Sequence, residues 1–231
     1  GTLTGTHTVT GTLRFRSGAV GGVLIVESNA TFLVEGGTDK TLSAITTNRG
    51  TLQVSGGDLT VTGSIDNEGL LNLTSDVRLL TVFGQPRPLR NTGTLRKSAG
   101  PGTADVGVGG SYGLALTNSG LIDVQSGVLS FFGANDLSNG TLQVAIRSLS
   151  NFGRINFSSP PTLTGTLSAY LVGSYTPALN NKFSIITFNS STGAFTDAKL
   201  PTDYVWQTSY SATDVSITVQ RTALAAHWPA E

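Results

Sequence analysis

The sequence predicts an all-β protein built as a right-handed parallel β-helix, or β-solenoid, with a C-terminal β cap. Three observations carry that expectation: a short phrase recurs at the spacing of one coil, asparagine and glycine mark the corner before it, and the composition disfavours helices. Charged residues are 12% and aromatics 7% of the 231 residues, and there are 29 glycines. Thr, Val, Leu and Gly in that abundance suit short strands joined by tight turns, without the charge excess that keeps chains unfolded.

The opening stretch, TLTGTHTVTGTL at residues 2–13, reads as the first rung, with Leu3, Val9 and Leu13 facing inward and the threonines outward. A threonine array for binding ice needs Thr-x-Thr at one place on every coil. Thr60 and Thr62, and Thr162, Thr164 and Thr166, echo it, but GVLIVES and TLSAITT interrupt the column.

The phrase then recurs as GTLRF at 11, ATFLV at 30, GTLQV at 50, GLLNL at 69, GTLRK at 93, GLIDV at 120, GTLQV at 140 and GRINF at 153. The starts lie 19, 20, 19, 24, 27, 20 and 13 residues apart, as expected of a regular scaffold carrying inserted loops and one irregular rung. Asn48, Asn67, Asn91, Asn118 and Asn151 each stand two residues before the glycine of a phrase. Asn and Gly tolerate the left-handed backbone of sharp corners, so these five are expected to form a structural turn ladder along the axis.

Further strand candidates lie between the corners, GVLIVES at 22, TLSAITT at 41 and DLTVTGS at 58. Two or three strands in about 20 residues is too long a repeat for a hairpin meander. No helical segment is present to build βαβ units. Coils stacking at about 4.8 Å each would bury a continuous interior, and roughly eight of them make a rod on the order of 40 Å long.

Beyond residue 160 the texture changes. LSAYLV, KFSIITF, GAFTDA, YVWQTSY and DVSITV alternate apolar and polar residues and are rich in aromatics. The expected organisation is therefore solenoid coils over 1–160, a β-rich cap over 161–220 and a tail over 221–231. Rung-like sequence from residue 2, and a start at Gly1 instead of Met, lead us to expect a processed or excised chain whose first coil is covered by further solenoid or by another subunit.

RNTGTLRKSAGPGTADVGV, LTNSGLIDVQSGVLSFFG and LTGTLSAYLVGSYTPALNNKFSIITFNSSTGAF resemble the coil phrase and terminal aromatic module of bacterial exported and surface β-helix repeat proteins, autotransporter-like or adhesin-like stalks among them. The resemblance covers most of the chain. It implies an extracellular or cell-surface structural role: a β-solenoid subunit of a surface or matrix fibre assembling head to tail, or alternatively an adhesin or glycan-binding stalk segment of a longer protein. Self-association and surface glycans are the partners it implies.

Chemistry is sparse. Fourteen basic and fourteen acidic residues cancel, so no global field recruits nucleic acid. The apolar runs are too short for membrane insertion as a helix. There is no cysteine, which excludes disulfides and thiolate metal sites.

Gly109-Gly110-Ser111-Tyr112-Gly113 matches a nucleophile elbow, but LALTNSG immediately after it does not read as a helix, and His7 and His227 stand at opposite ends of the chain. Asp58, Asp66 and Glu68, the nearest thing to an acidic group, adjoin turns. Neither an enzyme nor any cofactor or metal is expected.

The remaining candidate is a basic stretch: from Arg78 through Arg87, Arg90, Arg96 and Lys97 no acid intervenes, and residues 98–146 hold three aspartates and no Lys or Arg. Arg87, Arg90, Arg96 and Lys97 are the candidate contacts for an anionic glycan or a neighbouring subunit, since arginine grips carboxylate or phosphate with paired hydrogen bonds.

Overall fold

A computed structural model describes residues 1–37, 40–82, 84, 86–108 and 113–222. The described residues contain strands and turns and no helix. They wind as a parallel β-solenoid with three faces. On the first face Thr2–Leu3, Gly18–Val20, Lys40–Leu42, Leu59–Val61, Arg78–Leu80, Thr103–Val108, Val128–Phe131, Arg154–Phe157 and Lys182–Phe188 stack in that order. The second runs from Thr6–Val9 through Val23–Val26, Ile45–Asn48, Ser64–Asn67, Arg87–Asn91 and Leu114–Asn118 to Asn135–Asp136. The third begins at Thr12–Phe15 and ends at Asp197–Lys199.

The alternation inferred from the phrases places one residue of each pair inside. Leu13, Phe32, Leu52, Leu71, Leu95, Ile122, Leu142 and Leu167 are in register down the third face, and all but Leu13 are buried. Leu13 is partly covered because it belongs to the first coil. For the same reason Leu3 is 37% exposed, although it shares a column with buried Val20 and Leu42. Phe131 and Phe157 stack with ring centroids 5.4 Å apart inside neighbouring coils.

Two elements differ from the sequence reading. GRINF does not continue the third face: Arg154–Phe157 pairs with Val128–Phe131 on the first face, and Thr166–Leu171 takes the next third-face rung. This accounts for its spacing of 13 residues, because successive phrases there measure from one face to another.

The pairing also does not change at 160. Thr166–Leu171, Lys182–Phe188 and Asp197–Lys199 still add in parallel, and antiparallel strands join the described sheets with Asp214–Thr222 and Tyr204–Tyr210 at the end of the first face. Aromatics seal that end: Phe183 packs edge-on to Phe152 at 5.3 Å and lies 6.2 Å from Trp206. The tail from 223 on lies outside the described residues, as does His227.

Candidate functional site

Four of the five corner asparagines form one chain of side-chain amides. Asn48 Nδ2 donates to Asn67 Oδ1 at 2.7 Å, Asn67 Nδ2 to Asn91 Oδ1 at 2.7 Å, and Asn91 Nδ2 to Asn118 Oδ1 at 2.6 Å. Each of the first three also donates to a main-chain carbonyl of the next coil, that of Leu70, Thr94 or Leu121. All four are buried. Their strands hold them in register, and Val26 occupies the same column one coil earlier. The chain therefore begins against a side chain with nothing to donate, and among the described residues no donor reaches Asn48 Oδ1.

Asn151 is not part of the ladder. It is exposed in a tight reversal where its carbonyl accepts from Arg147 and Ser148, between the antiparallel partners Ile146 and Phe152. The column after Asn118 passes instead to buried Leu137, next along from Asp136, the partner of Thr117.

The expected reason for the corner glycines also needs correction. Gly50, Gly69, Gly93 and Gly120 have no left-handed φ, and the ladder asparagines have none either. A Cβ on Gly93 would instead strike the carbonyl oxygens of Gly69 and Glu68 in the coil beneath. Coil-to-coil approach, not backbone hand, excludes side chains there.

The basic stretch does not converge. Arg78 lies on the first face and pairs with Asp58. Arg87 and Arg90 lie on the second, with Arg90 3.7 Å from Asp66. Arg96 points out of the third face, its Nε 2.8 Å from Asp123. Lys97, the next residue, takes the inward position between Leu73 and Val124 and is 0% exposed. Its Nζ donates to Asp76 Oδ1 at 2.7 Å and to the carbonyls of Ala99 and Gly100 at 2.8 and 2.9 Å, and Asp76 Oδ2 accepts from Gly102 N. Lys97 thus clamps the 98–102 turn from inside and offers no charge to a ligand. The alternation Thr94, Leu95, Arg96, Lys97 carries the signal for this, since Lys97 has the parity of Leu95.

Asp58 pairs with Arg78, whereas Asp66 and Glu68 line one depression of about 330 Å³ with Arg90 and Thr92, where Asp66 is matched by Arg90 and Glu68 by Arg49. Glu35 shows the same habit: hydrogen bonds from Arg16 and then Arg14 hold its carboxyl below the ordinary glutamate range. His7 sits in an inward column beside Leu24, with Nε2 2.8 Å from Thr4 O. Gly109, Gly110, Ser111 and Tyr112 of the elbow-like motif lie outside the described residues. Among the described residues no group of three His, Asp or Glu is placed to hold a metal, and no helix is long and apolar enough to cross a membrane.

Sequence reasoning missed a shallow groove of about 460 Å³ on the outward side of the first face, lined by Thr103, Asp105, Val128, Ser130, Phe132, Arg154, Asn156 and Thr187. Asp105, Ser130, Asn156 and Thr187 occupy one outward column of four successive coils. Asn156 Nδ2 donates to Ser130 Oγ at 2.9 Å, and Thr187 Oγ1 donates to Asn156 Oδ1 at 2.9 Å. Burial pushes the Asp105 carboxyl above the ordinary aspartate range, against the pull of Arg78. Only reading the sequence down the coils, at steps of 25 to 31 residues, brings these four together.

Fold and site together define an all-β parallel solenoid whose buried polar chemistry is structural. No protein-family model matches the chain, and no curated protein does.

Proposed function

We propose that the protein is an extracellular structural rod, a β-solenoid subunit that stacks head to tail in a cell-surface or matrix fibre. The observation that carries this reading is the direction of the strands at the two ends. Among the described residues Thr2–Leu3, Thr6–Val9 and Thr12–Phe15 each pair on one side only, and their Leu3, His7 and Leu13 stand in inward columns. At the far end Asp214–Thr222 reverses the first face and Tyr204–Tyr210 reverses it again. The outermost strand therefore runs in the same sense as Thr2–Leu3.

A second copy can add its first coil to that edge in the parallel sense used throughout the rod. Unpaired edges of this kind are templates for further strands, and a contact between unlike ends propagates without closing. The resemblance to exported repeat proteins supports the location.

Negative-stain electron microscopy of the purified chain over a range of concentrations tests the reading. Filaments of one rod width are expected, shortened or abolished by Leu3→Lys, which places a charge in the joint. Isolated rods at the highest concentration, unchanged by Leu3→Lys, would remove it.

A further inference from the structure

Most outward charges on the coils are matched to the coil above or below: Arg14 and Arg16 with Glu35, Arg49 with Glu27 and Glu68, Arg78 with Asp58, Arg90 with Asp66, Arg96 with Asp123. The groove on the first face breaks that habit. Neither Asp105 nor Arg154 has an oppositely charged group of the described residues within ion-pairing distance; Arg154 lies over the Phe152 ring at 5.5 Å. Between them Phe132 is 36% exposed and Ser130 is 3% exposed, with its oxygen already accepting from Asn156.

From this arrangement we propose that the groove binds an oligosaccharide chain lying along the rod axis. The polar groups repeat at one per coil, about 4.8 Å apart, so four rungs span roughly 14 Å. With Ser130 buried beneath Asn156, a ligand that reaches Asp105, Asn156 and Thr187 carries hydrogen-bonding groups at intervals along its length, as a linear glycan carries hydroxyls, and is not a compact molecule. Asp105 accepts, Arg154 donates in a planar fork, and amide and hydroxyl groups do both, the set that hydroxyls require.

The exposed ring of Phe132 supplies the apolar surface against which the C–H face of a sugar packs. One acid against one base leaves the groove without net charge, so a polyanion such as nucleic acid gains nothing there. A peptide strand finds no free backbone edge, because every groove strand is paired on both sides. The groove runs along a face and not across an end, so it stays open whether or not the rods stack.

The test is a printed glycan array probed with the labelled chain at a concentration where light scattering shows single rods. The best-bound oligosaccharide is then titrated against the wild type, Phe132→Ala, Asp105→Asn and, on the second face, Arg90→Ala. At least tenfold weaker binding by Phe132→Ala and by Asp105→Asn, with Arg90→Ala unchanged, is the expected result. Both groove residues point outward, and a matching thermal midpoint confirms the fold of each variant. Binding of no arrayed glycan, or binding that survives both groove substitutions, overturns the proposal. Neither outcome bears on filament formation, which is read separately by microscopy.

Discussion

Asn67→Ala removes the middle of the amide ladder, and its cost is set by the bonds it breaks. Besides a long contact from Nδ2 to Gly69 O at 3.4 Å, three short bonds are lost: the bond from Asn48 at 2.7 Å, that to Asn91 at 2.7 Å and that to Thr94 O at 2.9 Å. At a net value of roughly 1 kcal/mol each they contribute about 3 kcal/mol. Asn91 Oδ1 is then left buried without its donor, which adds about 1–2 kcal/mol. The expected loss is therefore about 4–5 kcal/mol, at the upper end for a single substitution.

The matching control is Asn151→Ala, whose exposed side chain is outside the ladder and should change stability by less than about 0.5 kcal/mol. Urea unfolding followed by far-ultraviolet circular dichroism gives both values. Hydrogen exchange should also show the coils around Asn67 opening before those on either side. Equal midpoints for the two variants would refute the ladder as a source of stability.

Three further expectations concern the clamp, the corners and pH. Asp76→Ala should cost about 3 kcal/mol, because it strands a fully buried ammonium. Lys97→Met should cost less, since Met suits the apolar column of Leu73 and Val124; a larger loss for the lysine variant in thermal unfolding would show that the clamp is misread. Gly93→Ala should cost ~3 kcal/mol from the clash with the coil beneath, whereas Gly11→Ala, with open space around it, should be near neutral; equal melting points would count against close approach as the reason for glycine.

Glu35 should titrate below the 4.5 of an unperturbed glutamate in carbon-detected NMR, and Arg16→Ala should move it back up. Because its folded value is depressed, its stabilisation is present above the unfolded value and is lost as pH falls through the folded one. A Glu35 titration unmoved by Arg16→Ala would contradict the assignment of Arg16 as the main cause.

The coil period, the inward columns and four corner asparagines were legible because each is a local pattern repeated at the spacing of the winding. Asn151 carried the same local pattern and went elsewhere, since a reversal at Arg147–Asn151 takes the chain back to the first face. The basic stretch misled for a related physical reason. In a three-faced solenoid, residues a few positions apart in the chain face different directions, and true neighbours lie one coil away, as with Arg78 and Asp58 at 20 residues or Arg96 and Asp123 at 27. Charges close in sequence are thus distributed around the rod, while the groove from Asp105 to Thr187, scattered in sequence, is assembled in space. The site was illegible because no single window contains it.

The ladder tolerates unequal coils. Its three links cross 19, 24 and 27 residues while the amide contacts stay between 2.6 and 2.7 Å. In the two longer coils the first-face strand ends at Leu80 or Val108 and the second-face strand starts at Arg87 or Leu114. Contour length there is decoupled from rise, so a foreign peptide grafted between Leu80 and Arg87 would be displayed beside the rod without altering its pitch.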